Sequence, residues 1–562
     1  MSEENIKDEE YVEKMYDKAM EYTYSLQYKE SIETLLQIVN KANDKTIIYE
    51  FLANNYLYIE DYDNALIMFD KAFESTSDCY FKSQDLIKKA DLLFDISRIE
   101  EALECYTKVE QDFEDYSLDV LDKKAKCYFE LGEYNNAILY ADKCLNMFSN
   151  ENVEMLNLKG NSLFNTERYE EAAENYLKLY EIKKEIQLLN TVAACYYKVN
   201  NIDLAIKYQE SFIQALQKNL EAKKKMSEYY SSKNDTEAAD IYQKTIVEIE
   251  QILSREYCVL ANLYYEIKNY SDSVKYYDVA IELNPQNINA YIQKADRLYD
   301  QKCYKASLEI YLSLPAFDNS EDEAYKLNSI GILYKCLLDY KTANEYFDKA
   351  IELNPNEILY KLNKANSLFG MHKYDETIKL INDILASNCE DKKEAYNILI
   401  DCYLGKKDYD KAIEYCDKGL EFDANEPKFL YSKASCLLEK AQYDEAIKFC
   451  EKAIDAGYRE LDLIYYTLGT CYSWKKEFDR ALDYYNGAIN YLHENRDLAE
   501  TAIFEGYKSH LAFLYYAKGS CLCELNKNFD EALLSLNQAK EYGYDKIECE
   551  EKIKEIKNKM EQ

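Results

Sequence analysis

Small and bulky apolar positions alternate along the chain with a long period. A small residue inside an apolar, helix-like stretch recurs as Ala19, Ala53, Ala90, Ala125, Gly160, Ala193, Ala261, Ala295, Gly331, Ala365, Ile400, Ala434, Gly469 and Ser520. Most steps lie between 33 and 37 residues; the exceptions are 68 from Ala193 to Ala261 and 51 from Gly469 to Ser520. Three residues after the small position stands a large one, as in Tyr56, Tyr128, Tyr196, Tyr264, Tyr334 and Tyr403. The two share one helix face, so a knob sits beside a notch into which a neighbouring helix can press. A second notch follows twelve residues after the first, at Ala65, Ala102, Ala137, Ala172, Ala205, Ala343, Ala412, Ala446, Ala481 and Ala532. It opens its own apolar stripe at a period near 3.6, as in Ala65, Phe69 and Ala72 or Ala343, Phe347 and Ala350.

Each period therefore predicts two antiparallel helices joined by a short polar turn such as Lys268-Asn269-Tyr270 or Lys407-Asp408-Tyr409. The exit from the second helix also repeats, as Leu283-Asn284-Pro285 and Leu353-Asn354-Pro355. Proline lacks the backbone donor and restrains the residue before it, so the helix cannot continue. The chain resembles the tetratricopeptide repeat family, whose small, aromatic and small positions are matched by Leu468, Gly469, Tyr472, Phe478, Ala481, Tyr485 and Ala488. The expected fold class is all-α, an alpha-alpha superhelix in which antiparallel helical hairpins stack as a TPR solenoid. Right-handedness and a concave inner surface are implied by the resemblance alone.

The breaks in register divide the chain. Residues 12–220 are read as an N-terminal array and 254–490 as a central one. The 68-residue step is twice 34, so 221–253 is a degenerate repeat around Met226-Ser227-Glu228-Tyr229-Tyr230 or an extended helical connector, and the expected boundary between two rigid halves. Residues 491–562 are read as an extended C-terminal repeat with a polar capping helix. Asn490 to Arg496 lengthens a second helix or opens a loop, and Ala316 to Asp322 lengthens another loop.

Composition narrows the function. Only 4 Pro and 12 Gly in 562 residues are too few for a turn-rich sheet protein. The formal charge of -36, from 105 acidic against 69 basic residues, repels phosphate backbones and excludes nucleic acid as the expected partner. No apolar run approaches the roughly 20 residues that span a bilayer, and the N-terminus lacks the pattern of a signal peptide. A cytoplasmic protein without membrane contact is expected. Seventeen cysteines support this, because Cys127, Cys195, Cys402, Cys436 and Cys471 fill one recurrent slot beside the large residue, as packing in a reducing compartment would require. The three histidines, His372, His493 and His510, are scattered and form no metal motif. No phosphate loop, nucleophile elbow or dinucleotide fingerprint is present, so catalytic, cofactor and metal residues are all read as none.

The resemblance implies a groove lined by the free side of the first helices. On this register it holds Asn54, Asp91, Asp95, Asp122, Asn157 and Asn161, and further on Asn262, Tyr265, Asn363, Asn366 and Asn397. Tyr466 and the single tryptophan, Trp474, complete the set. Asparagines can bond an extended peptide backbone, aromatic rings cover apolar side chains, and carboxylates favour a basic segment. Some relatives clamp a terminal carboxylate with flanking lysine and arginine. Here Leu362 and Glu394 occupy the corresponding places, so that mode is not expected. The expected function is a scaffold or adaptor that binds a protein or peptide, preferably basic; a structural or regulatory repeat protein that forms homo-oligomers is the alternative.

Overall fold

The computed structural model describes residues 3–113, 117–147, 151–387, 392–494 and 501–561, with side chains from Glu9 and, in the last stretch, from Tyr507. Among them every regular element is a helix. Contacts divide the chain into two compact units, residues 1–297 and 298–562.

In the first unit the helices pair in chain order, as Thr46–Tyr58 with Tyr62–Ser75, Cys79–Asp95 with Ile99–Asp112, and Val153–Asn165 with Tyr169–Lys183. The second unit repeats the arrangement, as Ser320–Cys336 with Tyr340–Leu353, Ile358–Gly370 with Tyr374–Ala386, and Leu461–Trp474 with Phe478–Glu494. Within each unit consecutive hairpins pack on one another, giving an all-α solenoid of stacked helical hairpins.

Side-chain volume explains the pairing. The notch residues Ala53, Ala90, Ala125, Ala365 and Ala434 are fully buried, as are Ala65, Ala102, Ala137, Ala412 and Ala446 of the second helices. The large residue of the first helix meets a ring twelve positions later: Tyr196 stacks on Tyr208, Tyr334 on Tyr346, Tyr403 on Tyr415 and Tyr472 on Tyr484, each with centroids 5.5 Å apart. The turn is equally regular. Seven residues after the notch the backbone enters the left-handed region, at Glu60, Ser97, Lys268, Leu338 and Lys407 among others. The next N–H then returns to the helix, as Asp61 donates to the Tyr56 carbonyl at 2.9 Å. Asp or Asn frequently follows as the cap of the second helix, Asp339 accepting from the Thr342 N–H at 3.1 Å. The turn tyrosine closes against the first helix, with Tyr270 5.3 Å from Tyr265 and Tyr169 5.1 Å from Phe164.

Two details depart from the expected register. The final notch is Gly519 and not Ser520: a Cβ on Gly519 would lie 2.8 Å from Leu536 Cγ, and the left-handed residue seven positions on is Asn526. One extra turn residue before Phe529 accounts for the shift. The loop after Leu314 is short, because Asn319 accepts from the Glu321 N–H at 3.0 Å and Ser320, Glu321 and Asp322 already belong to a 17-residue helix. Asn490 to Glu494 continue the helix Phe478–Glu494, while Asn495 and Arg496 lie outside the described residues. A 24-residue helix, Thr501–Glu524, precedes Phe529–Glu541, and Lys546–Met560 ends the array with Cys549 and Ile556 buried.

Residues 221–253 lie inside the first unit. They form the outer part of one long hairpin made by two 31-residue helices, Ile202–Ser232 and Thr236–Glu266. The helices run antiparallel along their length: Tyr264 OH donates to Glu210 at 2.9 Å, Gln217 to Tyr257 OH at 2.8 Å, and Lys224 pairs with Glu250 at 2.8 Å. Near the tip Tyr230 stacks on Tyr242 at 5.5 Å, in the same twelve-residue relation as the regular hairpins. No breaker interrupts either helix, so this hairpin projects where a regular one would turn back. The division by contacts falls between Arg297 and Leu298, inside the helix Ile288–Asp300.

Candidate functional site: the free face of the first helices

A first helix buries its notch and knob against its own second helix, which leaves one stripe turned away. Positions three before the notch and one and five after it share this stripe. Asn54, Asp95, Asn157 and Trp474 stand on it exposed, and Trp474 stacks on Tyr443 of the preceding hairpin with centroids 6.3 Å apart.

Other members of the stripe are partly occupied by the fold. A buried tyrosine sixteen residues after several notches brings its hydroxyl to the stripe and needs an acceptor there. Asp91 accepts from Tyr106 OH at 2.5 Å, Asn161 from Tyr176 OH at 2.7 Å and Asn262 from Tyr277 OH at 2.7 Å. Asn262 also donates to Gln293 Oε1 at 3.2 Å. Asp91 pairs with Lys123 at 3.2 Å, and Asp122 with Lys126 at 2.8 Å, which reaches Glu154 at 2.7 Å. The ring of Tyr265 carries the Arg297 guanidinium at 4.4 Å. Much of the negative charge on this face of the first unit is thus already met by its own cations.

In the second unit Asn363 donates to buried Asn328 at 3.0 Å, and Asn366 lies half-buried one turn on. Tyr466 packs between Tyr485 at 6.4 Å and His510 at 5.7 Å. Asn397 is only 6% exposed, and its Oδ1 has no hydrogen-bond partner. Asp401, one turn further, lies 3.4 Å from Lys428 Nζ. Burial raises the Asp401 carboxyl above the usual range, and Lys428 only partly opposes the shift. Asn397 and Asp401 therefore present an unused acceptor beside an incompletely compensated acid.

Among the described residues no cluster of three or more His, Cys, Asp or Glu side chains could hold a metal ion. No described helix is long and apolar enough to cross a membrane. The five cysteines of the recurrent slot are fully buried and unpaired, and burial pushes the Cys127 and Cys402 thiols up to about 12. They pack and do not react.

Sequence reasoning passed over a cleft of about 280 Å³ in the first unit, between the helix Gln187–Lys198 and the C-terminal half of Thr236–Glu266. Two departures from the chain's own pattern signal it. Ala194 stands where Asn54, Asp91, Asn161 and Asn262 stand in other hairpins, and Gln209 stands where Phe69, Tyr106, Tyr176 and Tyr277 stand.

Comparison with known proteins agrees with this geometry. The family model described as Tetratricopeptide repeat matches residues 118–151, 153–185, 257–287, 327–357, 362–427 and 427–456. A TPR repeat-containing protein of Methanocaldococcus jannaschii is 25% identical over 421 residues, 64% of this chain and 72% of that protein. The Hsp70-Hsp90 organising protein of Plasmodium falciparum is 33% identical over 92 residues, 15% of this chain and 16% of that protein. The chain thus matches only a small part of the latter. Among solved structures, the APC/C hetero-tetramer Cut9-Hcn1 shows 15% identity and a TM-score of 0.38, covering 96% of this chain and 95% of that one. The notch, knob, stacked ring and left-handed turn recur through both units, and over the matched residues the chain carries tetratricopeptide repeats.

Proposed function

We propose that this protein is an interaction scaffold that holds an extended segment of a protein partner against the free faces of its first helices. The supporting observation is the Asn397–Asp401 pair. A buried amide oxygen without a donor and a carboxyl raised by burial both gain from an incoming N–H or cation, and a peptide supplies these. The formal charge of -36 favours a basic partner. The free thiols, and the lack of membrane-length helices among the described residues, support work in the reducing cytoplasm.

Selection of random dodecapeptides displayed on phage, followed by fluorescence anisotropy of the enriched peptides on the full chain, tests this reading. Asn397→Ala and Asp401→Asn each weaken binding about tenfold, the size expected for a buried polar contact. An enriched set in which every peptide binds both variants with unchanged affinity refutes the assignment of the site. A second reading, self-association, is favoured by one feature: Met226, Tyr229, Ile241 and Val247 are exposed near the tip of the long hairpin. Sedimentation decides it, since Tyr229→Lys with Ile241→Lys dissolves an oligomer held there and leaves a monomer unchanged.

A further inference from the structure

The cleft beside the long hairpin has the chemistry of a side-chain pocket. Its floor is Gln209, only 1% exposed, and its walls and rim include Asn190, Ala194, Tyr197, Val259 and Glu266. In the other hairpins an aromatic or other apolar side chain fills the Gln209 position, and a residue longer than alanine, polar in all but Met20 and Ile332, fills the Ala194 position. Both changes occur in the same hairpin, and together they leave the space of about 280 Å³ open.

The orientation of Gln209 is fixed by its neighbour. Its Nε2 donates to Glu256 Oε2 at 2.8 Å, and a carboxylate only accepts, so the amide nitrogen must face Glu256. That leaves Oε1 as an acceptor, and no described residue donates to it. At the rim the Glu266 carboxylate has no ion-pair partner among the described residues, in contrast to Asp91 and Asp122 on the same face. Tyr197 and Val259 line the opening with 48% and 44% of their surfaces exposed. The cleft therefore offers two acceptors, a free negative charge, a flat ring and an aliphatic wall.

We infer that this cleft takes the side chain of an arginine from a bound partner; the inference rests on the peptide-binding reading and adds a side-chain pocket in the first unit to the Asn397–Asp401 pair of the second. The guanidinium carries five donors in one plane, so it can serve Gln209 Oε1 and Glu266 while its face lies on Tyr197. Its aliphatic stem covers Ala194 and Val259. A lysine brings donors without the flat face, and a carboxylate would meet Glu266 as a like charge.

The test uses the full chain and the same displayed library of random dodecapeptides. Enriched peptides whose affinity Asn397→Ala leaves unchanged share an arginine at one fixed position, and replacing it by norleucine weakens binding about tenfold, as expected for loss of a charge-assisted contact. Replacing it by lysine gives an intermediate loss. Ala194→Trp fills the cleft from an exposed helix position and removes the difference between arginine and norleucine peptides. Glu266→Gln, a surface change that leaves packing intact, reduces that difference about threefold or more. Far-ultraviolet circular dichroism of both variants confirms the fold. The absence of a fixed arginine from those peptides, or an arginine preference that survives both substitutions, overturns the inference, while other peptides whose binding depends on Asn397 leave the proposed function standing. Failure to enrich any peptide overturns both.

Discussion

Replacing Gly331 by alanine tests whether ring-into-notch packing holds the hairpins together. A Cβ on Gly331 would lie 2.6 Å from Phe347 Cε1, 2.8 Å from Cδ1 and 3.0 Å from Cζ. Carbon atoms prefer separations of about 3.5–4.0 Å, and Phe347 is fully buried, so the ring cannot retreat into solvent. Overpacking of this kind costs about 1–3 kcal/mol, and the better helix propensity of alanine returns about 1 kcal/mol. The expected net loss is about 1 kcal/mol. Gly487 supplies the control: the nearest atom to its added Cβ is Tyr465 Cδ2 at 3.4 Å, so only the propensity gain remains and Gly487→Ala stabilises by up to about 1 kcal/mol. In a Phe347→Ala background the obstacle is gone, and Gly331→Ala changes sign. Urea unfolding read by Trp474 fluorescence, together with amide exchange in Ser320–Cys336 and Tyr340–Leu353, measures these differences locally, as a repeat array demands. If Gly331→Ala is as stabilising as Gly487→Ala, or acts equally with and without the Phe347 ring, the packing account is wrong.

Two further perturbations examine charge and backbone. Asp85 is fully buried, neither of its oxygens receives a hydrogen bond, and burial, with the neighbouring Glu50 carboxylate as acceptor for its proton, raises its pKa from 3.8 to about 7. The folded state therefore holds this proton more tightly than the unfolded chain, so the contribution to stability is complete below about pH 4 and is lost as the pH rises through about 7. Asp85→Asn stabilises the fold at about pH 8 by on the order of 2–4 kcal/mol, read as a higher thermal midpoint, and flattens its fall from about pH 5; a pH profile parallel to that of the parent protein refutes this. Leu338 adopts φ 64 in an exposed turn, a conformation that costs a residue with a Cβ about 1 kcal/mol. Leu338→Gly raises the urea midpoint despite a looser unfolded chain, and Leu338→Val lowers it; the reverse order contradicts the assigned turn geometry.

The hairpins were legible because they depend on side-chain volumes close together in the chain. A notch, its knob and the ring that presses on it are separated by three to sixteen residues, so Gly331 with Phe347 and Tyr403 with Tyr415 could be read from spacing. The same regularity concealed the one-residue shift from Ser520 to Gly519, since only the longer turn before Phe529 shows which residue faces Leu536. The inner stripe was legible as a set of positions, but the state of each side chain was not. Asp91, Asn161 and Asn262 accept from buried tyrosines, whereas Asn397 is left with an unused oxygen. Those outcomes depend on which donor the fold brings within reach. The projecting hairpin and its cleft also required the tertiary structure, because Gln209 meets Glu256 across 47 residues and two unbroken helices. Periodic volume determined the repeating unit; the meeting of distant polar groups decided where that unit remains open to a partner.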